Sequence, residues 1–366
     1  MGGDPGIDLE HLPLSSGKEH MKRTPRLASA LVAGVLALGL TAGMTESASA
    51  APSDRAGGWL DRQLTGGLVH NDQYGFDDYG LTADTGFALA AIGGHRKALR
   101  QSSRALAKHV DSWTTGVDFA SSDVYAGSVA KALVFAQTVG ANPRSFGKAN
   151  LVQRLSARIS AKKGIVGRLQ DKTSGTDYAN TLGQAYAAGG LSTARSGKAD
   201  EAVAFLLRQQ CSPGYFRLYF ADATAKNQNC DGATKANRAP DTDATAIAVL
   251  SLQSIKHPTP RVQRSIAAAV RWLVRTQERN GSFGGGPSTK APNANSTGLA
   301  ASALGQAGQC VPAKRAARWV AKLQQKNGAI AYDRSAIKGG ITTETRDQWR
   351  RATSQAAPGL QFLSSC

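Results

Sequence analysis

Two kinds of apolar pattern alternate along the chain. In one kind, apolar residues recur at three- and four-residue steps with Arg and Lys between them, as in a helix that buries one face. The other kind is small or apolar at nearly every position, as in the segment 244–252, ATAIAVLSL. A helix of this second kind must be covered on nearly all sides. The alternation predicts outer amphipathic helices paired with inner apolar helices.

Six such pairs can be drawn. The outer helices are predicted near residues 56–63, 97–110, 151–161, 199–210, 262–277 and 313–324. The inner helices are predicted near residues 84–92, 124–139, 177–191, 241–255, 295–307 and 354–363. A repeat of tens of residues indicates one helix pair stacked many times. We therefore predict an all-α fold, an (α/α)6 toroid of six helix pairs, in which ring closure removes the need for capping repeats.

An aromatic residue, a glutamine and a glycine mark the end of four outer helices. Three copies share one spacing and a fourth is one residue tighter: Phe205, Gln210, Gly214; Trp272, Gln277, Gly281; Trp319, Gln324, Gly328; and Trp59, Gln63, Gly67. These positions are the clearest sign that one unit is repeated around a ring.

The N-terminal part predicts export. A basic stretch beginning at Met21 precedes an apolar run over 27–40 and the small residues Ala48-Ser49-Ala50. This order is typical of a secretory signal peptide, which we assign to residues 21–50. Residues 1–20 are then an extra segment upstream of the true start, and residues 51–366 form a single toroid domain. We expect a secreted, extracellular protein without a transmembrane anchor in its mature form.

The four cysteines are expected to pair, because the predicted compartment is oxidising. Cys211 and Cys230 both fall at the end of the ring where outer helices lead into inner ones, and Cys310 and Cys366 both fall at the opposite end. We therefore predict the disulfides Cys211–Cys230 and Cys310–Cys366, which staple the toroid. The rival interpretation is a metal site, but no cysteine or histidine pair has ligand spacing, so no metal is predicted.

The charge balance suggests anionic partners. The whole chain carries a net charge of +18, and residues 51–366 contain 40 basic and 21 acidic residues. An anionic extracellular polymer would be attracted without sequence selectivity. The basic residues are spread along several outer helices, however, so a solvated surface is the alternative and sequence-specific nucleic-acid binding is not expected.

The repeat, joined to Asp241-Thr242-Asp243-Ala244-Thr245-Ala246, resembles the prenyltransferase and squalene cyclase repeat over nearly all of residues 51–366. The resemblance implies a terpenoid cyclase-like α/α toroid, in which Gln210, Gln277 and Gln324 tie each outer helix to the next inner helix. It does not choose among the activities of this superfamily, because one fold hosts several functions.

Several members of the superfamily are disfavoured by their own residues. A protein prenyltransferase would need Asp, Cys and His zinc ligands, yet no Asp-x-Cys occurs and the last histidine is His257. A thioester domain would need a Gly-Cys-Gly-Glu-Gln segment, which is absent. Secreted cobalamin carriers share the single toroid but add a β domain, and this chain stops at Cys366.

Asp243 is the candidate acid of a terpenoid cyclase, with Asp241 as its companion. Resemblance to the Asp-x-Asp-Asp-Thr-Ala motif implies that Asp243 protonates an alkene, which requires a protonated, water-shielded carboxyl group. The fourth motif position is Ala244 here. Such cyclases are also expected to need a second toroid domain, for which there is no room. The competing interpretation is helix capping by both aspartates.

A ligand cleft is predicted where the loops between outer and inner helices gather, because they carry many aromatic and acidic residues. The alternative is that the aromatic residues pack beneath neighbouring turns. The predicted cleft residues are Tyr74, Phe76, Asp77, Asp78, Asp84, Asp177, Tyr215, Phe216, Tyr219, Phe283, Asn295 and Tyr332.

The sequence thus favours a secreted, monomeric binding module, not an enzyme, for an apolar small molecule or an anionic surface polymer, with no cofactor. The alternative is a class II, squalene-cyclase-like terpenoid cyclase that uses Asp243 as general acid. A third hypothesis is a polysaccharide-acting (α/α)6 hydrolase, in which Asp177 and Asp243 would flank a glycosidic bond.

Overall fold

The computed structural model describes residues 50–366. The predicted upstream segment 1–20 and nearly all of the signal peptide lie outside the described residues, so both remain predictions. No helix within 50–366 is long and apolar enough to cross a bilayer.

The described chain contains fourteen α-helices, four short 3-10 helices and three short strands. The helices are α1 Pro52–Asp61, α2 Tyr79–Ile92, α3 Arg96–Lys108, α4 Val110–Thr114, α5 Ala126–Thr138, α6 Leu151–Ser156, α7 Thr181–Thr193, α8 Ala199–Arg208, α9 Thr242–Gln253, α10 Pro260–Thr276, α11 Ala294–Gln306, α12 Cys310–Ala321, α13 Arg334–Gly339 and α14 Arg346–Ala356. The strands are β1 Leu64–Thr65, β2 Leu68–Asn71 and β3 Phe76–Asp78.

Six inner helices form a closed ring in the described part of the chain. Helices α2, α5, α7, α9, α11 and α14 each contact the next in order, and α14 contacts α2 again. Their small and apolar side chains are buried on nearly every side, as α7 and α11 show along almost their whole length. Helices α1, α3, α6, α8, α10 and α12 lie outside this ring and bury one face. The predicted all-α toroid is confirmed.

The loops that lead from outer to inner helices lie at one end of the ring, here called the mouth. A small antiparallel sheet, β1-β2-β3, occupies the mouth between α1 and α2, with Val69 paired to Asp78. The sequence pattern did not predict these strands. They are two to four residues long, which is too short for an alternating pattern to stand out.

A threonine of an inner helix holds the preceding loop in four units. The backbone N–H of Val69 donates to the hydroxyl of Thr82 on α2 at 2.8 Å. The backbone N–H of Phe216, Phe283 and Ile330 donates to the hydroxyl of a threonine at 2.9, 3.0 and 2.9 Å. The acceptors are Thr245, Thr297 and Thr353. Each loop is thereby fixed directly above the helix that follows it.

The repeated glutamines join neighbouring outer helices. The side-chain amides of Gln210, Gln277 and Gln324 donate to the carbonyl of the glycine four residues on. Each also donates to a carbonyl on the following outer helix, at Ser265, Pro312 and Pro52. The expected tie to the next inner helix is therefore wrong, because the amide bonds the next outer helix instead. The contact from Gln324 to Pro52 joins the last outer helix to the first.

Both predicted disulfides are confirmed. Cys211 and Cys230 have Cα atoms 4.9 Å apart at the mouth. Cys310 and Cys366 have Cα atoms 5.1 Å apart at the opposite end, where the bridge fixes the C-terminus to the start of α12. Loops of these lengths give a bridge a stabilisation of about 3 to 4 kcal/mol in the chain-entropy account.

The glycine of the repeat can be tested by substitution. Gly328 has φ +99°, and a Cβ there would clash with the backbone carbonyl of Arg55 on α1. Gly308 has φ +72° and nothing within 4 Å of a Cβ. Both alanine variants carry the cost of a left-handed backbone. We expect Gly328→Ala to lose roughly 2 kcal/mol more unfolding free energy than Gly308→Ala in denaturant titrations. Equal losses would contradict this account of ring closure.

Candidate functional site

The first turns of α9 and α11 lie side by side at the mouth. Asp241 precedes α9, and its side chain accepts a hydrogen bond from the backbone N–H of Ala244 at 2.8 Å. Asn293 does the same for α11, accepting from the N–H of Ser296 at 2.9 Å. Both residues are N-caps, which satisfy helix N–H groups that would otherwise be unpaired. Asp241 therefore caps α9, as the competing interpretation from sequence predicted.

Asp243 does not cap the helix. Only 1% of its surface is exposed, and its Oδ1 atom has no hydrogen-bond partner among the described residues. Its other oxygen and the Ser296 hydroxyl both border Gly285, since a Cβ added to this glycine would lie 2.9 Å from each of the two atoms. A buried carboxyl with so few partners is costly as an anion, because burial removes hydration without replacing it.

The proton and the negative charge of this aspartate pair are divided between the two residues. Burial, and then the charge of Asp241, raise the pKa of Asp243 to about 8. The Ser296 hydroxyl lowers this pKa by a smaller amount, although its position does not meet the geometry of a hydrogen bond. Burial also raises the pKa of Asp241, but the N–H groups of Ala244 and Asp243 oppose this. Asp241 is thus the better anion, and Asp243 is a neutral carboxylic acid near neutral pH.

Further unpaired polar atoms lie beside this acid. Asn295 Oδ1 and Ser296 Oγ, on the first turn of α11, are buried and lack hydrogen-bond partners in the described chain. Buried polar groups are normally satisfied, so a cluster of exceptions indicates a place for water or a ligand. Asn295 was predicted from sequence, whereas Ser296 was not.

A glycine run covers the two aspartates. A Cβ at Gly286 would clash with the Asp241 carboxyl group, and one at Gly285 would crowd Asp243 and Thr289. Only glycine lets the backbone pass this close to the acids. The run Gly284-Gly285-Gly286 was visible in the sequence, but its place above the carboxyl groups depends on tertiary structure.

A cleft of about 400 Å³ lies against the same glycine run. Its wall includes the rings of Trp272 and Phe283, together with Thr242 on the first turn of α9. Exposed Lys290 stands at its edge and forms no ion pair among residues 50–366. The volume falls within the range of small-molecule sites, and its apolar wall with few polar groups is typical of them.

A small cavity lies between the inner helices. The cavity there measures about 20 Å³ and is lined by Asp84, Phe87, Leu250, Leu299 and Ser354, among others. This is room for about one water molecule. Asp84 lies in the second turn of α2, where its carboxylate pairs with buried Lys131 at 2.9 Å and burial raises its pKa to about 6. The structure thus places Asp84 inside the ring and not among the mouth loops.

The predicted cleft aromatics divide into two groups. Tyr74, Phe76 and Tyr219 are exposed at the mouth, and Tyr332 is half-buried. Tyr215, Phe216 and Phe283 are buried, and Phe283 also lines the cleft of about 400 Å³. Tyr215 donates from its hydroxyl to the Arg238 carbonyl at 2.6 Å. Sequence reasoning missed the two most exposed aromatics of the mouth loops, Phe119 at 80% and Tyr178 at 72%.

The remaining predicted acids are bound locally. Asp77 lies 2.9 Å from the His70 ring nitrogen. Asp78 caps α2 and pairs with Arg351 at 2.6 Å. Asp177 accepts from the backbone N–H groups of Asp171 and Ala179, each at 3.0 Å. These contacts organise the mouth loops. Among residues 50–366, no group of three or more His, Cys, Asp or Glu side chains could hold a metal ion.

No family model matches the chain, and no curated protein matches it either. Solved structures do. The type II terpene cyclase MstE from Scytonema superposes with a TM-score of 0.60 at 18% identity, covering 84% of this chain and 96% of the cyclase chain. A protein from Actinoplanes matches with a TM-score of 0.60 at 17% identity over 86% and 98%. A glycosidase matches less well, with a TM-score of 0.52 at 13% identity over 85% and 96%.

At these identities the similarity establishes the fold, a terpenoid cyclase-like toroid. It also overturns one expectation from sequence, namely that a cyclase needs a second toroid domain. The MstE chain is covered over 96% of its length by 84% of this one. A single toroid of this size is therefore no argument against cyclase chemistry.

The protonation state of Asp243 predicts a pH dependence. Its folded-state pKa is raised from 3.8 to about 8, so the stability it contributes is present below pH 4 and is lost as the pH rises to about 8. The unfolding free energy of the wild type should fall relative to that of Asp243→Asn across this window and then level off. Denaturant titrations at a series of pH values measure this difference in unfolding free energy. Asp118→Asn, at an exposed mouth position, is the control and should show the same pH dependence as the wild type. If the unfolding free energies of the wild type and Asp243→Asn changed in parallel with pH, Asp243 would not be the neutral acid.

Proposed function

We propose that this protein is a terpenoid cyclase of the type II class, in which Asp243 protonates a carbon–carbon double bond of a linear isoprenoid. One observation carries the proposal. A buried carboxyl on the first turn of an inner helix is kept neutral by burial and by the charge of Asp241, and one of its oxygens is free of partners. Similarity to the fold of a type II terpene cyclase supports the same conclusion.

The reaction would be an isomerisation. The Asp243 carboxyl gives its proton to one alkene carbon, and the other carbon becomes a cation. The π electrons of an internal alkene attack this cation, so that a ring C–C bond forms and the charge moves along the chain. Loss of a proton to water ends the sequence in a new alkene, and Asp243 regains a proton before the next turnover. No atom is gained or lost overall.

The residues around Asp243 fit a general acid. A carboxylic acid shielded from water donates its proton to carbon more readily when the carboxylate that remains can be stabilised at once. The Ser296 hydroxyl borders the same glycine as the carboxyl group and is without a partner, so it can turn to donate to the new carboxylate. Asp241, held as an anion by helix N–H groups, would stay ionised throughout.

The cleft beside the glycine run would hold the substrate. Its volume of about 400 Å³ suits a small isoprenoid, whereas the cavity of about 20 Å³ between the inner helices does not. The rings of Trp272 and Phe283 could stabilise a carbocation through their faces. An alkene in the cleft would reach Asp243 only after a shift of the backbone at Gly284-Gly285-Gly286.

The binding-module hypothesis explains the exposed aromatics and the basic surface, but it assigns no role to a neutral buried acid. The hydrolase hypothesis needs Asp177 free to act, and this residue instead accepts two backbone hydrogen bonds. Secretion and a monomeric state remain proposals. Secretion rests on the pattern of residues 21–50, and both disulfides favour an oxidising compartment.

The test uses the full described domain with a panel of all-trans linear isoprenoids of ten to twenty carbons, as alcohols and as carboxylic acids. We expect the wild type to form a cyclic isomer of at least one of them, detected by gas chromatography and mass spectrometry. Asp243→Asn should lower the rate by about 100-fold or more, because it removes the proton. Asp118→Asn should retain the wild-type rate.

Two results would overturn the proposal. One is a cyclic product that forms equally fast with Asp243→Asn. The other is a wild type that binds members of the panel with the same affinity as Asp243→Asn and converts none of them. That second result would restore the binding module as the better hypothesis.

A further inference from the structure

A second and larger cavity runs along one side of α10, from the end of the ring opposite the mouth towards the mouth. It measures about 730 Å³ and lies between the last turn of α9, the outward side of α10 and the connection from α11 to α12. Leu252 on its floor is nine residues along α9 from Asp243, which corresponds to about 13 Å of helix rise. The cavity shares no lining residue with the cleft beside the glycine run, so it is separate from the candidate cyclase site.

The floor of this cavity is apolar. Ile266, Val270 and Val274 recur at four-residue steps along α10 and form one stripe, which Leu252 of α9 continues inward. Val274 remains 40% exposed. Outer helices of this protein bury one face against the inner ring, and on α10 this apolar face extends through Ile266 and Val270 to the exposed Val274, along the wall of the cavity. A strip of this kind is typical of a ligand or partner site.

Positive charge borders the cavity without any acid to balance it. Arg271 and Arg275 are the charged residues of the lining. Arg275 donates to the Pro213 carbonyl at 2.8 Å, whereas Arg271 forms no hydrogen bond or ion pair within residues 50–366. The loops at the end of the ring opposite the mouth, 93–95, 139–150, 194–198, 254–259 and 307–309, contain no Asp or Glu.

We propose that this cavity binds a single-chain amphiphile with an anionic head, of the fatty-acid type. The alkyl chain would lie on the stripe of α10, and the carboxylate would meet the guanidinium of Arg271, with Arg275 beside it. Guanidinium groups pair with carboxylates in a bidentate geometry, and an apolar chain gains affinity with each methylene buried. A neutral lipid would remove water from these guanidinium groups without forming ion pairs with them. An anionic polymer would form ion pairs but would leave the apolar floor in contact with water.

Binding of dodecanoate to the purified protein, by isothermal titration calorimetry below the micelle concentration, tests the proposal. We expect one site per chain. Decanoate should bind roughly 15-fold more weakly, because it lacks two methylenes and each contributes a factor of about four. Dodecyltrimethylammonium, with the same chain and the opposite charge, should bind at least about tenfold more weakly than dodecanoate.

Matched variants locate the site. Val274→Glu places a carboxylate on the floor and should weaken dodecanoate binding at least about tenfold, whereas Val311→Glu, at an exposed position outside the lining, should not. Arg271→Gln should weaken binding about tenfold, and Arg264→Gln, exposed on the same helix, should leave it unchanged. Circular dichroism checks that each variant is folded.

Three results would overturn the proposal: no binding of dodecanoate by the wild type, equal binding of the cationic amphiphile, or full binding by folded Val274→Glu. Asp243→Asn serves as a further control and should bind dodecanoate like the wild type, since the two sites are separate. A negative dodecanoate test would therefore leave the cyclase proposal unchanged, and a negative cyclisation test would leave the amphiphile site unchanged.

Discussion

The structure depends on closure of the inner helix ring. Helices that are apolar on all sides are stable only when neighbours cover every side, and the contact of α14 with α2 supplies the last of that cover. The outer helices secure it, with Gln324 bonded to the Pro52 carbonyl across the point of closure. As a consequence, the ionisable side chains of Asp84, Lys131 and Asp243 on the inner helices are removed from water.

The chain handles these buried carboxyl groups in three different ways. Asp78 caps its helix and pairs with Arg351, and Asp84 pairs with Lys131. Asp243 has neither arrangement and holds its proton instead. The helix N–H groups stabilise the charge of Asp241, and that charge in turn raises the pKa of Asp243. The capping of α9 by Asp241 thus helps to produce a neutral carboxylic acid at the mouth of a toroid. Alkene protonation needs a group of this kind.

The alternation of amphipathic and apolar helices predicted the ring, because burial leaves a direct pattern in the sequence. The disulfides followed from which end of the ring each cysteine occupies. The candidate site was harder to predict from the sequence, since capping and acid catalysis require the same residue type at the same place. Only the structure separates Asp241, which accepts the Ala244 N–H, from Asp243, which does not cap. Burial of Phe216 and exposure of Phe119 likewise depend on how neighbouring loops pack, which local sequence does not encode.

The most direct measurement of alkene protonation follows the proton itself. The cyclisation would be run in D2O with an unlabelled linear isoprenoid, and the product examined by mass spectrometry and NMR. Because Asp243 exchanges its proton with solvent between turnovers, the account predicts one deuterium in each product molecule, at the carbon protonated in the first step. A cyclic product formed without deuterium at that carbon would contradict it.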